Sequence, residues 1–250
     1  MEAKGGAMKK EEVYQILNEA YFGENCDERD LFEQIEPLVR EAASFVDVGA
    51  SLGQYTRFAS RVMKPGSSIT AIEADPIRFE ELDRNCSRWQ RGGGIEIKPK
   101  FGAMTDREGP VRFYSTQSNT SGGLFQHPVG DAEVTWEEIE APGYTLDSLF
   151  PETPPGFVKV DVEGAELRVL RGAERILKAR QTVFFIEVHS WADPEGQSNA
   201  QEVLEHMRVR GYHCASLRGK CVFHPNQMTA MRLATQSKFR GAMRRLGLSE

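Results

Sequence analysis

The sequence predicts an α/β fold: a doubly wound, Rossmann-like and mostly parallel sheet with helices on both faces and an antiparallel edge strand. Three observations lead there. Short apolar runs at Phe45–Val48, Ile69–Glu73, Ile95–Lys98, Phe157–Asp161 and Thr182–His189 alternate with stretches of helical periodicity, the pattern of a parallel sheet with crossover helices. The first run breaks at Gly49-Ala50-Ser51-Leu52-Gly53 and passes directly into a helical pattern, giving strand, tight turn and helix. Near the end, Tyr212–Leu217 and Lys220–Phe223 flank Arg218-Gly219 and read as a closing hairpin.

Taken in order, Lys9 to Arg40 carries Val13, Ile16, Leu17, Leu31, Ile35, Leu38 and Val39 at helical spacing, a helical preface placed either over a ligand cleft or against the sheet. Pro76 opens a helix through Phe79, Leu82 and Trp89 that stops at Gly92-Gly93-Gly94. Val111–Tyr114 reads as a short strand. Ser115 to Gly143 is polar and without a period, too long for a plain connection, so it is expected to be a lid or binding loop, with Asn119 to Gly123 as candidate contacts and His127 solvated. A helix carrying Leu167, Val169, Leu170, Ile176 and Leu177 follows the fourth strand, and another spans about Ala200 to Arg210. Gln227 to Leu248 reads as a basic amphipathic helix suited to docking, dimerisation or a solvated end. The expected division is residues 1–44 as preface, 45–225 as the ligand-binding domain and 226–250 as terminal helix.

The glycine turn points to a nucleoside ligand. Gly49 is expected to let backbone approach the ligand, Gly53 to relieve the helix start, and the acid Glu73, about twenty residues on at the end of the next strand, to bind ribose hydroxyls. Where a dinucleotide fingerprint requires two further glycines, the chain has Ser51 and Gln54, so the pyrophosphate cradle is incomplete. Asp47 adds negative charge before the turn, which repels pyrophosphate and suits a sulfonium. S-adenosylmethionine is therefore the expected cofactor, held by Asp47, Gly49, Ala50, Ser51, Gly53, Tyr55, Glu73, Ala74, Gly102, Ala103 and Asp161, with Phe101 to Met104 at the adenine side.

A chain of 250 residues with 40% hydrophobic content supports one sizeable α/β core, and its net charge of −6 argues against nucleic-acid or anionic-membrane partners, which require a basic face. A small-molecule acceptor fits better, with a homodimer as a further possibility. Cys26, Cys86, Cys214 and Cys221 form no Cys-x-x-Cys pair, so neither a zinc knuckle nor a disulfide framework is indicated and a cytoplasmic setting is expected. No segment approaches the roughly 18 consecutive apolar residues of a membrane span.

Phe45-Val46-Asp47-Val48-Gly49-Ala50-Ser51-Leu52-Gly53, Glu73-Ala74-Asp75-Pro76 and Val158-Lys159-Val160-Asp161-Val162-Glu163-Gly164-Ala165-Glu166 together resemble the FkbM family of S-adenosylmethionine-dependent methyltransferases. Tyr144–Leu149 and Phe185–His189 look like its later blocks, so the resemblance covers Phe45 to His189. The Asp-x-Glu-Gly-x-Glu block is the most distinctive piece. The resemblance implies a class I methyltransferase fold and O-methylation of a small molecule, a sugar or polyketide hydroxyl. Amino-methylating nucleic-acid enzymes carry Asn/Asp-Pro-Pro-aromatic at the end of the fourth strand, where this chain has Asp161-Val162-Glu163-Gly164.

An alcohol must shed its proton as it attacks the methyl carbon, so a base is needed. Asp161 and His189 are expected as base or orienting groups, with Glu163 as a further catalytic or substrate contact. Side-chain alternation is expected to put Glu187 and His189 on one side of the fifth strand, so a magnesium ion on Asp161, Glu187 and His189 is a further expectation. The competing readings are a nicotinamide-dependent oxidoreductase, disfavoured by the missing glycine, and a nucleoside-binding module without catalysis.

Overall fold

The structure, a computed structural model, describes residues 29–90, 94–116, 122–126, 135–189, 199–217 and 220–245. In chain order its elements are α1 (Arg29–Glu41), β1 (Ser44–Val48), α2 (Gln54–Val62), β2 (Ser68–Glu73), α3 (Pro76–Gln90), β3 (Glu96–Phe101), β4 (Ala103–Met104), β5 (Gly109–Thr116), β6 (Gly122–Gly123), β7 (Trp136–Tyr144), α4 (Leu146–Leu149), β8 (Phe157–Val160), α5 (Glu166–Arg171), α6 (Glu174–Ala179), β9 (Val183–Ile186), α7 (Asn199–Val209), β10 (His213–Leu217), β11 (Lys220–His224) and α8 (Gln227–Arg245).

Seven strands form the main sheet in the order β10-β11-β9-β8-β1-β2-β3. The apolar runs of β1 and β8 are buried on both faces and therefore occupy its centre, paired in parallel with Phe45 opposite Phe157 and Val48 opposite Val160. The chain steps outward from β1 through β2 to β3, then returns to β8 and steps the other way. This reversal leaves a crevice at the carboxyl ends of β1 and β8, where open α/β sheets bind ligands. The expected hairpin closes one edge: β11 runs antiparallel between β9 and β10, and β10 lies outermost.

Strand side chains alternate, so the core divides in two. Phe45, Ile69, Phe157, Phe185 and Val222 face α1, α2 and α3, whereas Val46, Val48, Val158, Val160, Phe184 and Ile186 face α5, α6 and α7. The same alternation places Asp47 and its cross-strand neighbour Lys159 on the α1–α2 side, under the glycine turn. Leu31, Ile35 and Val39 of α1 are buried in that half, so the described part of the preface packs against the sheet; the part before Arg29 lies outside the described residues. α3 begins at Pro76 because proline suits the first helical position and the Asp75 carboxylate caps it, accepting from Ile77 N at 2.9 Å and Arg78 N at 3.0 Å.

Three expectations are corrected. Ser115 to Gly143 is not a long loop: β5 and β7 pair over eight residues, from Gly109 opposite Gly143 to Thr116 opposite Trp136, in a second sheet of order β4-β7-β5-β6. β7 is rich in glutamate and ends in Pro142-Gly143, so its local sequence reads as loop, and pairing with a distant strand overrides that preference. Asn119 to Ser121 and His127 lie outside the described residues. The helix after the fourth strand is two short helices, α5 and α6, separated by Gly172-Ala173. The fifth strand ends at Ile186, where Glu187 N makes the last bond to Val160 O, and Val188 and His189 lie beyond the strand. Among the described residues no helix is long and apolar enough to cross a membrane.

Candidate active site

The floor of the crevice is the turn after β1. Gly49 N and Ala50 N both donate to Ile72 O, at 3.0 and 2.9 Å, which folds the chain back across the end of β2. Gly49 has φ +71°, and a Cβ there would sit 1.8 Å from the carbonyl oxygen of Asp161. Gly53 has φ +93°, and its Cβ would meet Trp89 and Leu82 of α3 within 3 Å. Both glycines are thus required by close packing of the protein against itself, where the sequence reading placed ligand approach at Gly49.

Glu73 ends β2 inside the crevice and is almost wholly buried. Its Oε2 accepts from Ser51 N at 2.8 Å, and Oε1 accepts from Ala74 N at 2.9 Å and Asp75 N at 2.8 Å. Burial raises its pKa, while the nearby Arg78 guanidinium and these backbone donors oppose the rise. The carboxylate is therefore fixed before any ligand arrives. Asp75 is held in turn by the Ser115 hydroxyl of β5, which anchors the second sheet to the first.

Asp47 is fully buried and does not line the crevice. Its Oδ2 accepts from Thr56 N at 2.9 Å and Thr56 Oγ1 at 2.7 Å, and its Oδ1 lies 3.2 Å from Lys159 Nζ. Lys159, itself 3% exposed, donates to Gly49 O at 2.8 Å and lies 3.7 Å from Asp161 Oδ2. Burial would lower its pKa, but the Asp47 and Asp161 carboxylates more than offset this and the ammonium is retained. Sequence reasoning missed Lys159. The available signal was a lone cation inside an otherwise apolar central strand, which must be paired.

At the lip stand Asp161, Glu163 and His189. The Glu163 backbone has φ +52° and its side chain lines the crevice. His189 Nε2 lies 3.4 Å from Glu163 Oε2, and Nδ1 lies 2.8 Å from Oε1 of the fully buried Glu166. Burial and the Asp161 charge push the Glu163 carboxyl up to about 7, with His189 opposing. For His189 burial acts downward, but the Glu166 hydrogen bond and charge, then Glu163 and Asp161, carry it up to about 9.

Glu187 does not join them. Glu187 N still donates to Val160 O at 2.9 Å and its carboxylate pairs with Lys220 at the start of β11, whereas His189, beyond the strand, turns to Glu163 and Glu166. Among the described residues the expected metal set of Asp161, Glu187 and His189 is not assembled; the cluster with ligand atoms within 4.8 Å of one another is Asp161, Glu163 and His189. Tyr55 packs on Phe32 and Phe185, with its hydroxyl 3.4 Å from Lys220 Nζ.

The crevice holds a cavity of about 110 Å³ and is open at its mouth. Of the expected cofactor positions, Gly49, Ser51, Glu73, Ala74, Gly102, Ala103 and Asp161 line it, and Asp47, Ala50, Gly53 and Tyr55 lie behind it. Met104, read with the adenine side, lines it too, as do Gly122 and Gly123 of the candidate contacts; Arg78, Phe113 and Leu124 also line it and were not singled out, Phe113 lying in the stretch read as a short strand and Leu124 in the stretch read as loop.

Residues 47–214 match the family model for the methyltransferase FkbM domain, two thirds of the chain, and the chain belongs to this family. It is 27% identical over 169 residues to hexuronic acid methyltransferase AglP of Haloferax volcanii, covering 67% of this chain and 65% of that protein, slightly less than two thirds of its length. It is 28% identical to the 31-O-demethyl-FK506 methyltransferase FkbM of Streptomyces tacrolimicus, covering 79% of this chain and 81% of that one. Among solved structures, methyltransferase FkbM of Methylobacillus flagellatus superposes with a TM-score of 0.50 at 18% identity, covering 72% of this chain and 42% of that chain, a likeness of fold.

Proposed function

We propose that this FkbM-family chain is an S-adenosylmethionine-dependent O-methyltransferase acting on a hydroxyl of a small molecule. The observation that carries the reading is one crevice holding, at its inner end, a carboxylate fixed by three backbone donors and, at its lip, a glutamate and a histidine in contact. The residues fit the cofactor. Glu73 would accept from vicinal ribose hydroxyls, Gly102, Ala103, Met104 and Phe113 would wall a flat base, and Asp161 would offer negative charge to a cationic sulfur; all of them line the crevice. Bound there, the cofactor supplies an electrophilic methyl group.

The protein's own contribution is alignment and proton acceptance. Glu163 faces the crevice with its carboxyl near neutrality, so it is the group suited to take the hydroxyl proton. His189 is charged at neutral pH, and its charge steadies the Glu163 carboxylate. Asp161, 3.7 Å from the Lys159 ammonium, serves as a fixed negative charge. A non-glycine residue held in the left-handed region, as Glu163 is, costs about 1–2 kcal/mol, and such strain is concentrated at working sites.

Magnesium does not fit this donor set. It takes near-octahedral oxygen ligands, whereas Glu187 is paired with Lys220 and one of the three clustered groups is an imidazole. No step of the proposal runs through a metal, and full methyl transfer is expected after exhaustive chelation. Dependence on added magnesium or manganese would overturn that part.

The names of the two curated relatives suggest uronic-acid sugars and macrolide alcohols as acceptors to try. Calorimetry should detect binding of S-adenosylmethionine and S-adenosylhomocysteine, and incubation with methyl-labelled cofactor and panels of these two classes should place the label on oxygen. A label on nitrogen or carbon, or binding of reduced nicotinamide cofactor in place of S-adenosylhomocysteine, would refute the assignment.

A further inference from the structure

The lip of the crevice is held from behind by a residue that neither the expected site nor the proton-transfer scheme includes. Glu166 opens α5 and is completely buried, and a buried carboxylate needs partners. Its partners include Gly164 N, 3.0 Å from Oε1, and His189 Nδ1, 2.8 Å from the same oxygen. The Gly164 contact belongs to the turn that carries Glu163, so one oxygen atom joins the turn bearing the crevice glutamate to the histidine beside it. An imidazole whose Nδ1 is engaged by a carboxylate has both its ring orientation and the position of its Nδ1 proton determined, leaving Nε2 on the opposite side. Here that side is Glu163, with Nε2 to Oε2 at 3.4 Å.

We propose that Glu166 is a positioning residue: through Nδ1 it fixes the His189 ring so that Nε2 is presented to Glu163 at the lip of the crevice. The proposal rests on the reading of Glu163 and His189 as the proton-handling pair. Among the described residues the charged groups around His189 include Asp161 at the end of β8, Glu163 on the turn and Glu166 on α5; Glu187, from the histidine's own segment, is engaged by Lys220. Holding the ring in this way removes a rotation that would otherwise separate Nε2 from Glu163, and it does so from a position closed to solvent.

The test uses the full chain, with ¹⁵N-labelled histidine followed by nuclear magnetic resonance and S-adenosylhomocysteine as the calorimetric probe. In the parent, His189 should show a strongly deshielded, slowly exchanging Nδ1 proton. Glu166→Leu should lose that resonance while binding of S-adenosylhomocysteine is retained, because Glu166 does not line the crevice. Glu166→Gln keeps an oxygen acceptor of the same shape and should restore the resonance, moved toward a neutral hydrogen bond; it also serves if the leucine variant does not fold. A resonance unchanged in either folded variant, or missing from the parent, would overturn the proposal. Failure of the parent to bind S-adenosylhomocysteine would count against the cofactor reading alone, since the Nδ1 signal is read without ligand.

Discussion

The pair beneath the crevice gives the sharpest test of the fold's electrostatics. Lys159 and Asp47 lie 3.2 Å apart with side chains 4% and 0% exposed, directly opposite one another on adjacent central strands. Removing one member leaves the other charged and out of water, and breaking such buried pairs typically costs about 3–5 kcal/mol. Lys159→Met should sit within that range, because the ammonium also serves Gly49 O and lies near Asp161. Asp47→Asn should be comparable, as its amide would face the ammonium. For a domain of this size each kcal/mol corresponds to roughly 2–4 °C in Tm, so each single variant should melt about 6–20 °C lower. In Lys159→Met/Asp47→Asn neither charge remains, and the Asn oxygen can still accept from Thr56. The double variant should therefore be less destabilised than the sum of the singles, with a coupling of about 2 kcal/mol or more. Chemical denaturation of the four proteins closes the cycle. Additive singles, or a Lys159→Met cost below about 1 kcal/mol, would refute the claim that Lys159 is retained as the counter-charge of Asp47.

Glu73→Ala should weaken S-adenosylhomocysteine binding by about 1.5–3 kcal/mol, the range for a hydrogen bond to a charged group, and calorimetry at parent-like affinity would rule out the ribose role. Gly49→Ala should destabilise by more than the about 1–2 kcal/mol of left-handed backbone alone, since its Cβ also collides with Asp161 O; a melting curve like the parent's would contradict the packing. Stability should also depend on pH in the neutral-to-alkaline range. Glu163 and His189 both have folded pKa values above their unfolded ones, so each favours folding most on the acid side; the Glu163 contribution is lost from about 4.5 to about 7 and that of His189 from about 6.5 to about 9. Denaturation midpoints should therefore fall between pH 6.5 and 9 in the parent and fall less in His189→Gln, and identical slopes would refute the assignment.

Much of the site was legible because its signals are local. Apolar β-branched runs announce strands, a glycine turn followed by an acid about twenty residues on marks a nucleoside crevice, and both depend only on spacing along the chain. Glu73 and Gly102-Ala103 accordingly line the crevice as expected from position alone. What the tertiary structure decided is pairing between distant segments. The β5–β7 ladder turned an apparent loop into a second sheet, since a polar strand is stabilised by a partner that its own residues do not reveal. Glu187, still bonded to β8 through its backbone N, meets Lys220, and His189, beyond the strand, meets Glu166. Register between β1 and β8 set Lys159 against Asp47, so that the acid expected to face a cofactor is neutralised behind the crevice. A sequence displays which charges must be buried in a strand; which counter-charge each one meets is determined only when the strands align, because a Coulomb pair depends on distance in space and not on separation along the chain.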